Sequence, residues 1–188
     1  MISIDPATGE KLFAWPAHSP EDCDAALSAA DRAQKIWQRM SFEVRGAALR
    51  APRNFGEPSR WVGSPANATV AVEQQEFLAS ELATSPIYAP VLNPAVVQTL
   101  QQGRAEMRTY LGIPANADPQ TVIEAMRRAG AALRAGNQAG AEAALTGPAF
   151  PAGPQAVLAK LSAMPRLPRT VAAAGMVASE FDRLDRIR

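Results

Sequence analysis

The chain has 188 residues, 47% hydrophobic but only 6% aromatic, with a formal net charge of +1; this is a globular composition rather than a disordered one, and it offers no concentrated basic surface for nucleic acid. A single cysteine, Cys23, and a single histidine, His18, exclude an internal disulfide framework, a cysteine-based zinc site and a multi-histidine metal centre. No run approaches the roughly 18 apolar residues of a membrane span, and the start, Met1-Ile2-Ser3-Ile4-Asp5, has no basic and then apolar leader, so the expected location is the cytoplasm.

Much of the hydrophobic share is alanine, which favours helices and is depleted in strands. The expected fold is therefore mainly α: a small N-terminal β-hairpin plus helix pair, followed by an α-helical bundle. Residues 2–4 and 11–15 are short apolar runs around Asp5-Pro6-Ala7-Thr8-Gly9-Glu10. Proline presets φ early in a turn and glycine accepts φ > 0 late in it, so strand, turn and strand are predicted. Ser19 and Pro20 suit the N-cap and N1 positions of a helix, and Glu21 and Asp22 place negative charge in its first turn. Cys23, Ala26, Leu27, Ala30, Ala33 and Trp37 recur at three- and four-residue steps on one face. Ser41 caps a second short helix with Val44, Ala48 and Leu49 as its apolar side.

These residues carry a resemblance. Asp5-Pro6-Ala7-Thr8-Gly9-Glu10, then Pro16, then Ser19 to Trp37, then Ser41, Glu43, Arg45 and Leu49 resemble the N-terminal segment of the NAD(P)-dependent aldehyde dehydrogenases, with the semialdehyde branch most similar. The resemblance spans about residues 3–50 and implies a hairpin and helix pair that packs on a large α/β body and carries no catalysis itself. Past Arg50 it stops. Arg53-Asn54-Phe55-Gly56 is not the Pro-Trp-Asn-Phe-Pro-like motif that would follow, and no downstream cysteine stands as a nucleophile. Cys23 reads as a small buried apolar residue of the first helix. No catalytic, cofactor-binding or metal-binding residue is carried over, and no cofactor is expected.

Residues 51–69 contain Pro52, Gly56, Pro58, Gly63 and Pro65 and read as a Pro/Gly-rich linker. They mark a seam of the kind that a gene fusion or a reading-frame change would leave. The expected division is residues 1–50, the linker 51–69 and a bundle domain 70–188. In the bundle, Val70, Glu73-Gln74, Phe77-Leu78 and Leu82 step as a helix. Asn93 with Pro94 and Asp118 with Pro119 open the next two, with Gly112 and Gly136-Asn137 as stops. Further helices are predicted over 138–145, 155–164 and 169–187, the last with Val171, Ala174, Val177, Phe181 and Leu184 inside and Glu180, Arg183 and Arg186 outside. Caps and apolar stripes in step along the chain argue for a selected, foldable sequence.

Among possible sites, Asp182 and Asp185 read as partners of Arg183 and Arg186 on a solvated face. Glu73, Glu76 and Glu81 lack the histidines of a carboxylate metal site in a bundle. Arg104 and Arg108, one turn apart, could clasp an anion, against which Glu106 counts. The candidate partner-binding residues are Leu27 and Trp37 on the first helix and the loop aromatics Trp61 and Tyr88. Two functions are expected from this. One is a non-catalytic helical accessory or assembly protein that binds a protein partner, such as a dehydrogenase subunit or a second copy. The alternative is a truncated or fused NAD(P)-dependent aldehyde dehydrogenase relative. A different native N-terminus would allow a periplasmic accessory subunit instead of a cytoplasmic one.

Overall fold

The structure is a computed structural model. It describes residues 2–4, 7–8, 10–14, 19–39, 42–86 and 92–186, with backbone alone at 2–4, 11–14, 33–39, 42 and 184–186. Two strands, β1 (Ile2–Ile4) and β2 (Lys11–Ala14), pair antiparallel with Ile2 opposite Ala14 and Ser3 opposite Phe13. The register slips between Ser3 and Ile4. The rest is helical: α1 (Pro20–Arg39), α2 (Phe42–Asn54), a 3-10 turn (Pro58–Trp61), α3 (Pro65–Thr84), α4 (Pro94–Leu111), α5 (Pro119–Arg134), α6 (Gln138–Ala144), α7 (Pro154–Ser162) and α8 (Pro168–Arg186).

Local chemistry sets the helix ends. At α1, Ser19 Oγ accepts the Asp22 N–H at 3.1 Å while Asp22 Oδ2 accepts the Ser19 N–H at 3.0 Å. This is a reciprocal capping box with aspartate at N3. Asn93 Oδ1 accepts the Ala95 N–H at the start of α4, and Asp118 Oδ2 accepts from both the N–H and the hydroxyl of Thr121 at the start of α5. Gly112 ends α4 at φ 82°, where a side chain would be strained, and its N–H donates to the Arg108 carbonyl.

Helices α2, α3, α4 and α8 form a closed ring, each packed on the next, with α2 against both α3 and α8. Helix α5 covers the opposite side of α3, and α6 and α7 complete that layer. Helix α3 is therefore central and buried on more than one side: Ala68, Thr69, Ala71, Val72, Gln75, Glu76, Leu78, Ala79 and Leu82 all lie inside. The stripe expected from the sequence had a different phase, since Val70, Glu73 and Phe77 are only half-buried.

This arrangement corrects the expected fold of a hairpin and helix pair set before a separate bundle. Val44, Ala47, Ala48, Ala51 and Phe55 belong to the same core as Leu78, Leu100 and Val177. The second helix of the pair is thus a wall of the bundle, while β1, β2 and α1 take no part in the principal helix packings among the described residues. The linker expectation is corrected with it. Residues 51–69 hold the end of α2, the 3-10 turn and the first turn of α3, and Ala51, Phe55 and Ala68 are fully buried. Pro52 sits inside α2. It gives up one backbone hydrogen bond, and α2 runs only two residues beyond it to Asn54, where fully burying Phe55 contributes about 1.5–3 kcal/mol toward offsetting that cost.

Candidate functional sites

Of the expected partner-binding residues, Leu27 and Trp61 have described side chains, and they stand on different elements. Leu27 lies on α1 at 68% exposure, a large apolar side chain left in solvent. Cys23, expected inside, is exposed, because no other element covers this part of α1 among the described residues. The side chain of Trp37 and the whole of Tyr88 fall outside the described residues. Trp61 is half-buried, its indole N–H donating to the Asn54 carbonyl at 2.7 Å. The Arg60 guanidinium stands 5.4 Å from its ring centroid. Trp61 therefore ties the 3-10 turn to the end of α2.

Several charged groups lie inside. Glu76 and Arg108, with side chains 2% and 4% exposed, form a two-point ion pair at 2.6 and 2.8 Å between α3 and α4. The remaining nitrogen of Arg108, Nη1, donates to the carbonyls of Ala115 and Ala117 at 2.8 and 3.0 Å. One side chain thus joins α3, α4 and the 113–117 loop. Glu180, expected outside, is buried and accepts the Asn93 N–H at 3.0 Å as well as the Arg183 guanidinium. The hydrogen bonds from Arg183 and from the Asn93 backbone hold its carboxyl below the usual range, against the opposing effect of burial. Glu106 accepts from the N–H and hydroxyl of Thr170, linking α4 to α8. Glu73 pairs with Arg127 at 2.9 Å, and Arg127 reaches Glu43 at 3.5 Å.

These pairings make Glu73 and Glu76 of α3 clamps between helices. Among the described residues no group of three or more His, Cys, Asp or Glu is placed to hold a metal ion. No helix there is long and apolar enough to cross a membrane.

Residues 1–55 match the aldehyde dehydrogenase family model. The dehydrogenase-like segment therefore extends five residues past the Arg50 limit drawn from the sequence and ends at Phe55, just beyond α2. It covers less than a third of the chain, so the relationship is that of this segment alone. The structure divides it: about its last quarter, residues 42–55, is built into the bundle, and among the described residues before that Leu27 stands exposed. No solved structure matches the chain.

Sequence reasoning missed the Glu76–Arg108 clamp and the Glu180 pin. The signal open to it was weak: α3 carries Glu73, Glu76 and Glu81 alike, and only the rule that an inside charge must be paired separates them.

Proposed function

We propose that the protein is a non-catalytic helical protein whose dehydrogenase-like N-terminal segment docks on a protein partner, with a dehydrogenase subunit as the first candidate. The observation that carries this reading is the division of the matched segment: α2 is built into the bundle, while α1 holds Leu27 at 68% exposure. A helix with an apolar stripe is stabilised mainly by burying it, and a segment similar to one that packs on a larger body carries the surface for that purpose. Helix α2 then fixes the docking arm to the bundle. The clamps described above are assigned to stability.

The test is affinity capture of a purified aldehyde dehydrogenase by the full chain and by Leu27→Glu, with light scattering on each protein alone. Capture by the native chain and its loss in the variant is the expected result. Equal capture by both, or none by the native chain, refutes docking through α1 on such a subunit. A monomer that becomes a dimer through the same face would transfer the role to self-association.

The family match supports a second reading, a truncated or fused member with residual oxidation of an aldehyde by NAD(P). Reduced-cofactor absorbance on mixing the chain with a semialdehyde and NAD(P) decides it. No turnover is expected, and turnover abolished by Cys23→Ala would establish the enzyme instead.

A further inference from the structure

Arg104 and Arg108, one turn apart on α4, meet different fates. Arg108 spends its donors on Glu76 and on loop carbonyls. Arg104 makes a single long hydrogen bond, from Nη1 to Ser80 Oγ at 3.3 Å, and a guanidinium carries five N–H donors in a fixed fork. Most of its hydrogen-bonding capacity is therefore unspent. It lines a recess of about 260 Å³ between α4 and the loop after it, whose rim includes Ala105, Thr109, Ile113 and Ala115.

The electrostatics point the same way. Burial and the neighbouring Arg108 lower the affinity of Arg104 for its proton, while Glu76 acts against them. Glu76 is already bound two-point to Arg108, so the three groups together carry one uncompensated positive charge in a partly desolvated place. Such a charge is costly without a counter-ion. The recess is smaller than a drug-sized pocket and its rim is partly methyl groups, which suits a short carbon chain better than a fully hydrated oxoanion.

We propose that this recess binds the carboxylate of a small monocarboxylic acid, with the Arg104 fork as its anchor and the methyl groups of Ala105, Ile113 and Ala115 beside its carbon chain. The site lies on the bundle and does not depend on docking through α1. A carboxylate can arrive as a free acid or as an acidic side chain, and the experiment separates the two.

The full chain is titrated at constant ionic strength with propionate, with N-acetylglutamate amide and with inorganic phosphate, following the Arg104 Nε–H and the Thr109 and Ala115 amides by NMR. Saturable shifts confined to these groups are expected with propionate. Shifts with the glutamate amide at comparable concentration would indicate a side-chain ligand, still a carboxylate at this site. Arg104→Gln should weaken binding about tenfold or more, and Arg127→Gln, on a different face, should leave it unchanged. Ala105→Glu, at an exposed position lining the recess, should set a negative charge beside the incoming carboxylate and weaken binding without disturbing the fold. Absence of saturable shifts, a preference for phosphate, or unchanged binding in both Arg104→Gln and Ala105→Glu would overturn the assignment.

Discussion

Removing one member of the buried Glu76–Arg108 pair tests how the bundle is held together. In Arg108→Met, Glu76 stays 2% exposed without its hydrogen-bonded cation, and breaking a buried pair from one side costs about 3–5 kcal/mol. For a chain of this size about 2–4 °C is lost per kcal/mol, so the thermal midpoint should fall by roughly 6–20 °C. Glu76→Leu should lose a similar amount, because Arg108 then keeps its charge at 4% exposure with only carbonyls around it. The double variant Glu76→Leu/Arg108→Met removes both charges and exposes neither. It also loses the bonds to the Ala115 and Ala117 carbonyls, but Ala115 is at the surface, where water can replace the guanidinium. The double should therefore be less destabilised than the sum of the singles, by about 2 kcal/mol or more. Urea unfolding followed by circular dichroism on the four proteins gives the cycle. Single variants within about 1 kcal/mol of the native chain, or a strictly additive double, would refute the account of the pair as a buried clamp.

Other outcomes follow from the same structure. A Cβ on Gly130 would overlap Thr69 Oγ1 where α3 and α5 cross, so Gly130→Ala should lose about 1–3 kcal/mol and Thr69→Ala/Gly130→Ala should recover part of it in the same urea assay. Glu180 has a lowered folded pKa, so its stabilising contribution is present above the unfolded carboxylate value and is lost as pH falls through the folded value. Glu180→Gln should accordingly destabilise at neutral pH and make little difference in acid, which a pH series of melting midpoints checks. Asn93→Ala should cost about 0.5–2 kcal/mol through loss of the α4 cap. A chain beginning at Phe42 should unfold cooperatively like the full chain, whereas one beginning at Pro65, lacking α2, should not.

The parts of the fold legible in the sequence were those written locally. Asn93-Pro94 and Asp118-Pro119 each put a cap and a preset φ next to each other, and Gly112 marks a left-handed stop, so these ends were readable within a few residues. Helix α3 was misphased for a physical reason. It is covered by α5 on one side and by α2 and α4 on others, so its apolar residues do not form one stripe and the amphipathic pattern that phase depends on is weak. The stretch 51–69 was read as linker because Pro52, Gly56 and Pro58 are local breakers. Burial of Ala51, Phe55 and Ala68 overrides them, and burial is a property of the assembled fold. Glu76 and Arg108 are 32 residues apart, and no periodicity joins residues on different helices. Cys23 shows the reverse error: a place on an apolar stripe predicts burial only if another element supplies the cover.

The seam also takes a different meaning. Val44, inside the dehydrogenase-like segment, and Val72 and Val177, beyond it, lie in one core. A junction whose two sides share a core is part of the fold, wherever the two sequences came from.

Hydrogen exchange along the intact chain tests the division of the matched segment most directly. Helix α2 should be protected to the same degree as α3 and α4, since its opening requires opening the ring. Helix α1, a 20-residue helix with a capping box and with residues 20–28 exposed, should exchange close to the rate of an isolated helix, because such helices are marginal in water. Protection of α1 equal to that of α2 would contradict the account, and so would exchange of α2 as fast as that of α1.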